Sequence, residues 1–312
     1  MLTKILFFTN HNRDRLRNQD PFPRGVAYWS NGRFLYSGVS FGGSVKPVPL
    51  VSQDWNSLLS WVGSSFGDTD PIESEYRPGT AYKRITWPFA AGGNLERAVD
   101  SNARTQSFVA LKILLTKMLE IFETVEPSVD NSGTYGHKVR ELLLLAAMEV
   151  EASWTAVLNA NAYGPKDRLN TADYVKLLAP MLLDSYSFKL RSYPAFPSFA
   201  PFRGWSTAAP TQSLVWYDAY NKTKHNREEN LNAATLERAI YAVGAAAILF
   251  YAQYGFMFNA QDDKSPFIRM IFDLEFDSGR YPTSYYLANV PPQGGDGTIA
   301  WDWELLDYPF AP

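Results

Sequence analysis

The segment Trp216–Arg227 gathers four side chains that could act together on a phosphodiester. At about 100° per residue of an α-helix, Tyr217, Asn221, Lys224 and His225 fall on one stripe. An imidazole can move a proton to or from a ribose 2′-hydroxyl, an ammonium can stabilise charge on phosphoryl oxygens, and an amide can orient the phosphate. The spacing therefore predicts a site for phosphodiester chemistry in which His225 is the acid or base.

The same segment has a structural interpretation. Histidine at a single helical position is commonly a surface or structural residue. Lys222, Lys224 and Arg227 near the end of the helix would also interact favourably with the helix dipole without any ligand. If the site is functional, Lys222, Arg227 and the neighbouring phenols of Tyr217 and Tyr220 are the expected binding residues.

A second candidate is a carboxylate on the helix that contains Leu142–Glu151. With Leu142 as the centre of the apolar face, Glu149 projects about 20° from that centre and Glu151 about 180° from it. A buried carboxylate is costly unless it is paired or protonated. Glu149 is therefore expected to meet a cation or a donor, and the helix with Lys224 and His225 is the predicted source. This meeting would make Glu149 the fourth catalytic residue beside His225, Lys224 and Asn221. The alternative is that Glu149 only joins one helix to another.

The composition narrows the chemistry further. The chain has no cysteine, which excludes disulfides, thiolate metal sites and cysteine nucleophiles. It has three histidines, of which His137 opens a predicted helix and is interpreted as structural, while His11 lies beside an arginine-rich run. A net charge of −3 means that any nucleic-acid site must be local.

Acidic residues alternate along two predicted strands near the C-terminus, over 272–277 and 301–305. A Mg²⁺ or Ca²⁺ site is one interpretation. A solvated sheet face whose charges are relieved by Arg269 and Arg280 is the preferred one. The sequence predicts no metal and no cofactor.

The candidate residues lie in the central part of the chain, which is predicted to be helical because hydrophobic residues recur there at helical spacing from about residue 94. Caps and stop signals predict three helices in the first part of this centre. One starts at Asn94, one runs from His137 to about Asn161, and one covers Ala172–Leu183 with a kink at Pro180. Two more run from Thr211 to about Arg227 and from Asn232 to about Tyr254. The last is the most apolar segment and is expected to be a buried helix rather than a membrane span.

The regions around this centre have other patterns. The pattern of residues 1–93 predicts short strands, and the Asn31-Gly32 pair predicts a hairpin between two of them. One short helix, capped by Ser52, is predicted to run through Val62. Residues 185–210, rich in proline and aromatic residues, are expected to form an extended strap on the helices. Residues 258–312 return to a strand pattern and are expected to pack with 1–93. The prediction is an α+β fold, mainly α, with a helical core over 94–257.

Two predicted helices together resemble the HEPN superfamily. The first reads His137-Lys138-Val139-Arg140-Glu141-Leu142 and continues to Glu149-Val150-Glu151-Ala152. The second contains Tyr220-Asn221-Lys222-Thr223-Lys224-His225-Asn226-Arg227. The likeness covers roughly residues 95–257. The family signature is an arginine followed, after four to six residues, by a histidine. His225 matches the histidine of this signature. The arginine would then stand at one of positions 218–220, which hold Asp218, Ala219 and Tyr220 instead.

The resemblance implies a helical bundle and a metal-independent endoribonuclease of a toxin or anti-phage defence system. Its mechanism would be attack of a 2′-hydroxyl on the adjacent phosphate, with His225 as acid or base, Lys224 or Lys222 as charge stabiliser and Asn221 as the amide that orients the phosphate. It also implies a homodimer that brings two His225 stripes together, and a partner or antitoxin protein.

Two other functions stay open at this stage. Because the arginine of the signature is missing, the chain could be a catalytically inactive HEPN-like module that binds nucleotide or protein. It could instead be a structural or interaction protein whose strap and acidic strands form the interface. For each of these three functions the sequence predicts a cytoplasmic protein without a membrane segment. If the protein is a ribonuclease, RNA is its substrate.

Overall fold

The computed structural model describes residues 5–8, 11, 25–30, 32–37, 46–74, 80–86, 100–164, 168–255, 264–277 and 304–310. The chain divides into two compact units, one of Met1–Ala81 with Ser278–Leu306 and one of Tyr82–Asp277 with Asp307–Pro312. The second unit includes the predicted helical core over 94–257. The Asn94 helix start, Arg280 and the acidic residue Asp302 lie outside the described residues.

The first unit is built on a five-stranded antiparallel sheet. Its strands are β1 (Ile5–Phe8), β2 (Gly25–Ser30), β3 (Arg33–Ser37), β4 (Lys46–Pro47) and β5 (Ile72–Ser74), in the order β4-β3-β2-β1-β5. Ser30 pairs with Arg33 across a turn in which Gly32 has a φ of 79°, so the predicted hairpin is confirmed. Two short strands, β6 (Thr80–Tyr82) and β9 (Glu304–Leu306), pair in a separate two-stranded sheet.

Helix α1 (Trp55–Phe66) supplies the other side of this unit's core. Leu58 and Val62 pack with the sheet residues Leu6, Ala27 and Phe34. The N-cap of the helix is Asp54 rather than the predicted Ser52, because the Asp54 carboxylate accepts a hydrogen bond from the Ser57 backbone N–H at 2.9 Å.

The second unit is a set of helices around one central helix. Its helices are α2 (Ser101–Phe122), α3 (His137–Ala160), α4 (Thr171–Tyr174), α5 (Val215–His225), α6 (Arg227–Asn230), α7 (Leu236–Tyr254) and α8 (Lys264–Arg269). Helix α7 contacts α2, α3 and α5, and only Glu237, Arg238 and Tyr241 along its length are not buried. The prediction that this apolar segment is a buried helix is therefore confirmed. Among the described residues, no helix is long and apolar enough to cross a membrane.

Local chemistry sets the ends of these helices. Asp100 caps α2, Thr235 caps α7, and Gly255 with a φ of 78° ends α7 as predicted. The predicted helix over Ala172–Leu183 is wrong beyond its first turn. After α4 the chain continues as a 3₁₀ turn at Val175–Leu177, and Leu182 takes a left-handed conformation.

Residues 185–210 pack on the helices as an extended strap, which was predicted. The strap begins with β7 (Tyr186–Leu190), which pairs antiparallel with β8 (Phe272–Phe276). Phe199 stacks near Tyr241 of α7 with ring centroids 5.0 Å apart, and Trp205 stacks on Trp154 of α3 at 5.0 Å. The strap thereby covers the seam between α3 and α7.

The acidic residues of β8 are paired with cations of the neighbouring strand. Nε of Arg191 donates to Asp273 at 2.9 Å, and Lys189 forms an ion pair with Glu275. The expectation that Arg269 and Arg280 relieve this face stays a prediction, since Arg280 lies outside the described residues. The antiparallel register places Lys189 directly opposite Asp273 and Ser187 opposite Glu275, so the cations come from β7 and from Arg191, which directly follows it.

The architecture is α+β and mainly α, with a helical core and small antiparallel sheets.

The contact between the strap and α7 generates a prediction about stability. A Cβ at Gly244 would lie 2.6 Å from the ring of Phe199 and 3.3 Å from Pro201. Because Phe199 is buried and packed against other rings, Gly244→Val should lower the free energy of unfolding by about 1–3 kcal/mol, measured by urea denaturation. Gly133→Val is the control, since a Cβ there meets nothing within 4 Å. An equal effect of the two substitutions would contradict tight docking of the strap.

Candidate functional site

A polar cleft of about 670 Å³ lies in the helical unit between α3, α5 and the chain around α4. Helix α3 contributes Glu151, Thr155 and Asn159. The chain around α4 and before α5 contributes Arg168, Leu169, Asn170, Thr171, Tyr174 and Thr211. Helix α5 contributes Tyr217, Asn221, Lys224 and His225.

The walls of the cleft are held by hydrogen bonds between hydroxyl groups. Thr155 and Tyr174 lie 3.1 Å apart through their oxygens, and Thr171 and Thr211 lie 2.8 Å apart. Asn170 caps α4 by accepting from the Ala172 backbone N–H at 2.9 Å. These bonds connect α3, α4 and the chain before α5, so the three segments that line the cleft are fixed to one another.

The carboxylate of Glu151 joins α3 to α5 at the floor of the cleft. The Tyr217 hydroxyl donates to Oε1 of Glu151, and the Tyr220 hydroxyl donates to Oε2 at 3.2 Å. The ammonium of Lys224 in turn donates to the Tyr220 hydroxyl at 2.8 Å. A chain of hydrogen bonds therefore runs from the carboxylate through a phenol to the cation.

Burial keeps the two phenols protonated. It raises the pKa of Tyr217, and the hydrogen bond to Glu151 raises it further. Burial also raises the pKa of Tyr220, while its bond from Lys224 partly opposes the rise. Both phenols are therefore hydrogen-bond donors to Glu151 over the physiological pH range.

Two cations line the cleft. The hydrogen bond to Tyr220 raises the pKa of Lys224, and the charge of Arg168 partly opposes this rise, which indicates that the two cations are near one another. Arg168 is exposed and has no hydrogen-bond partner among the described residues. Two neighbouring cations, one of them without a carboxylate partner, are suited to an anion with several oxygens.

His225 and Asn221 lie in this cleft with Lys224, so the structure brings three of the four predicted catalytic residues together. His225 is exposed at the end of α5, and Asn221 is half-buried one turn before it. Neither side chain has a hydrogen-bond partner among the described residues, so both are available to a ligand.

The predicted binding residues divide into two groups. Tyr217 lines the cleft, and Tyr220 is buried behind it, where it positions Lys224. Lys222 instead forms an ion pair with Asp218 at 2.6 Å on the exposed side of α5, and Arg227 is exposed on α6. Neither Lys222 nor Arg227 lines the cleft.

Glu149, the fourth predicted catalytic residue, is not in the cleft, and the predicted meeting with the helix of Lys224 is wrong. The carboxylate that meets this helix is Glu151. The buried residues of α3 show the reason, because they centre near Val150 and place Leu142 toward one edge of the apolar face. Glu149 and Glu151, about 200° apart around the helix, therefore lie on opposite borders of that face.

Sequence reasoning also missed Arg168, which lies in a loop before α4, where no helical spacing connects it to α5. Its distance along the chain from Lys224 leaves no pattern by which it could be found. Among the described residues, no group of three or more His, Cys, Asp or Glu side chains is arranged to hold a metal ion.

No protein-family model matches this chain, and comparison with curated proteins and with solved structures also gives no match. The geometry of the cleft therefore carries the functional argument.

The position of Glu149 generates a prediction about pH. Burial raises its pKa above the ordinary 4.5, and the charge of Arg84 offsets this only in part. The folded state therefore binds this proton more tightly than the unfolded state. The stability that the protonated group confers is complete below pH 4.5 and is lost as the pH rises through the raised pKa.

Glu149→Gln should consequently raise the melting temperature near neutral pH, and the gain should shrink toward pH 4. Thermal unfolding followed by circular dichroism across this pH range measures the effect. Glu126→Gln, at an exposed position, is the control. A gain that stays constant with pH would contradict the role assigned to burial.

Proposed function

We propose that the protein is a metal-independent endoribonuclease, HEPN-like in type, whose active site is the cleft between α3, α5 and α4. The observation that supports this most is the presence of His225, Lys224, Asn221 and Arg168 around one opening. A proton-transfer group, two cations and an amide can together promote cleavage of RNA through its own 2′-hydroxyl.

The reaction would proceed by transesterification. The 2′-oxygen attacks the adjacent phosphorus as its proton passes to the imidazole of His225, and the bond from phosphorus to the 5′-oxygen breaks. The leaving 5′-oxygen takes a proton from water, and the products are a 2′,3′-cyclic phosphate and a free 5′-hydroxyl. Lys224 and Arg168 would stabilise the charge that develops on the phosphoryl oxygens, and Asn221 would orient the phosphate.

The hydrogen-bond chain behind the cleft would position this machinery. Tyr220 holds the ammonium of Lys224 from below, and Glu151 fixes both Tyr217 and Tyr220. Among the described residues Lys224 makes one hydrogen bond, to Tyr220, which leaves two of its three N–H groups for a phosphate.

The catalytic role of His225 can be tested with purified protein and a mixed RNA substrate in the presence of EDTA. His225→Ala should reduce cleavage by about 10²–10⁴-fold, because general acid–base catalysis contributes that much. His137→Ala is the matched control, since this exposed histidine opens α3 and does not line the cleft. The products should carry 2′,3′-cyclic phosphate ends.

Equal activity of the His225 and His137 variants would overturn the assignment, as would absence of cleavage by the wild-type protein.

The binding role of Arg168 can be tested without turnover. Arg168→Ala should weaken binding of a 2′-deoxy dinucleotide, which lacks the attacking hydroxyl, and should reduce the salt dependence of binding by about one charge. Arg227→Ala is the control because it removes the same charge from an exposed position that does not line the cleft. Fluorescence anisotropy over a range of salt concentrations measures both effects. Indistinguishable salt slopes would remove Arg168 from the site.

A second candidate function is a nucleotide-binding module without catalysis. It is favoured by one observation, which is that His225 is the sole imidazole among the described residues that line the cleft. In that case the dinucleotide would bind through Arg168 and Lys224, while RNA would stay intact with both the wild-type protein and the His225 variant.

A further inference from the structure

A second cavity in the helical unit lies on the side of α3 opposite the cleft. It has a volume of about 280 Å³ and is bordered by α2, α3 and the turn that contains Arg84. Most of its wall consists of small side chains, and the polar groups that face it include Arg84, Gln106, Ser107 and Glu149. This cavity shares no lining residue with the cleft.

Arg84 is held in place at the edge of this cavity. Its Nε donates to the side-chain oxygen of buried Gln253 at 2.8 Å, and Nη2 donates to the Tyr254 hydroxyl at 2.7 Å. Ser107 hydrogen-bonds to the same hydroxyl at 3.1 Å. A guanidinium has five N–H groups, so three of those on Arg84 have no partner among the described residues.

The backbone at Arg84 has an unusual conformation. Its φ is 57°, in the left-handed region that residues other than glycine adopt only at an energetic cost. The bonds to Gln253 and Tyr254 offset this cost and fix the guanidinium. Strain of this kind is concentrated at ligand sites, where it fixes a group in advance of binding.

Glu149 supplies the opposite charge. Its side chain is half-buried and has no hydrogen bond or ion pair among the described residues. Arg84 and Glu149 therefore line the same cavity without contacting each other. A cation and an anion that form no ion pair among the described residues, and that face one cavity with mostly small walls, are complementary to a ligand that carries both charges.

We propose that this cavity binds a small zwitterion of the amino-acid type. The carboxylate of the ligand would pair with the guanidinium of Arg84, and its ammonium would pair with the carboxylate of Glu149. The small side chains of Ala110, Ala152 and Ala156 leave room between the two charges for the aliphatic body of the ligand. This site does not depend on the function proposed for the cleft.

The test uses isothermal titration calorimetry of the full chain with L-alanine, L-serine, β-alanine and γ-aminobutyrate, which differ in the spacing of their charges. At least one should bind, and propionate and propylamine should bind at least about tenfold more weakly, because each leaves one charge of the cavity without a partner. Failure of all four zwitterions to bind, or equal binding of propionate, would overturn the proposal.

Two variants locate the binding. Glu149→Gln should weaken it at least about tenfold by removing the partner of the ammonium, with Glu126→Gln as the control. Ala156→Leu should abolish it by filling the cavity while leaving both charges, with Thr116→Leu, at an exposed position of α2, as the control. Circular dichroism would verify that each variant is folded. Unchanged affinity in both folded variants would place the ligand elsewhere and refute the site.

Discussion

The helical unit depends on the burial of α7 on all sides. A helix that is apolar around its whole circumference cannot lie on a surface, so other elements must cover each of its faces. Helices α2, α3 and α5 contact it, and the strap packs against it through Phe199. Gly244 and the neighbouring alanines make this arrangement possible, because their small side chains let the surrounding rings approach the helix closely.

The sequence was sufficient to predict the elements that depend on local chemistry. The hydrophobic period located α3 and α7 to within a few residues, and Gly255 ended α7 as expected. The region after α4 could not be predicted in the same way, because its helical pattern is overridden by tertiary packing of Val175 and Leu177. The partners of the β8 carboxylates were also beyond the sequence, since they depend on the pairing of β7 with a strand more than eighty residues away.

The candidate site shows the same division. Asn221, Lys224 and His225 could be grouped from their spacing because they belong to one helix. The assignment of Glu149 failed because the centre of an apolar face cannot be read from one leucine, and an error of about 80° in that centre places a border residue near the middle of the face. Arg168 could not be found at all, since only the folded chain brings its loop to α5.

The bond between Glu151 and Tyr217 spans 66 positions of the chain. Between these residues lie α4 and the whole strap, which includes β7. This intervening chain must be accommodated on the helices when α5 contacts α3. Closing such a long loop costs entropy that no earlier contact returns. Because the cleft is open to solvent whereas α7 is buried, we expect the amides around the cleft to exchange with solvent hydrogen sooner than those of α7.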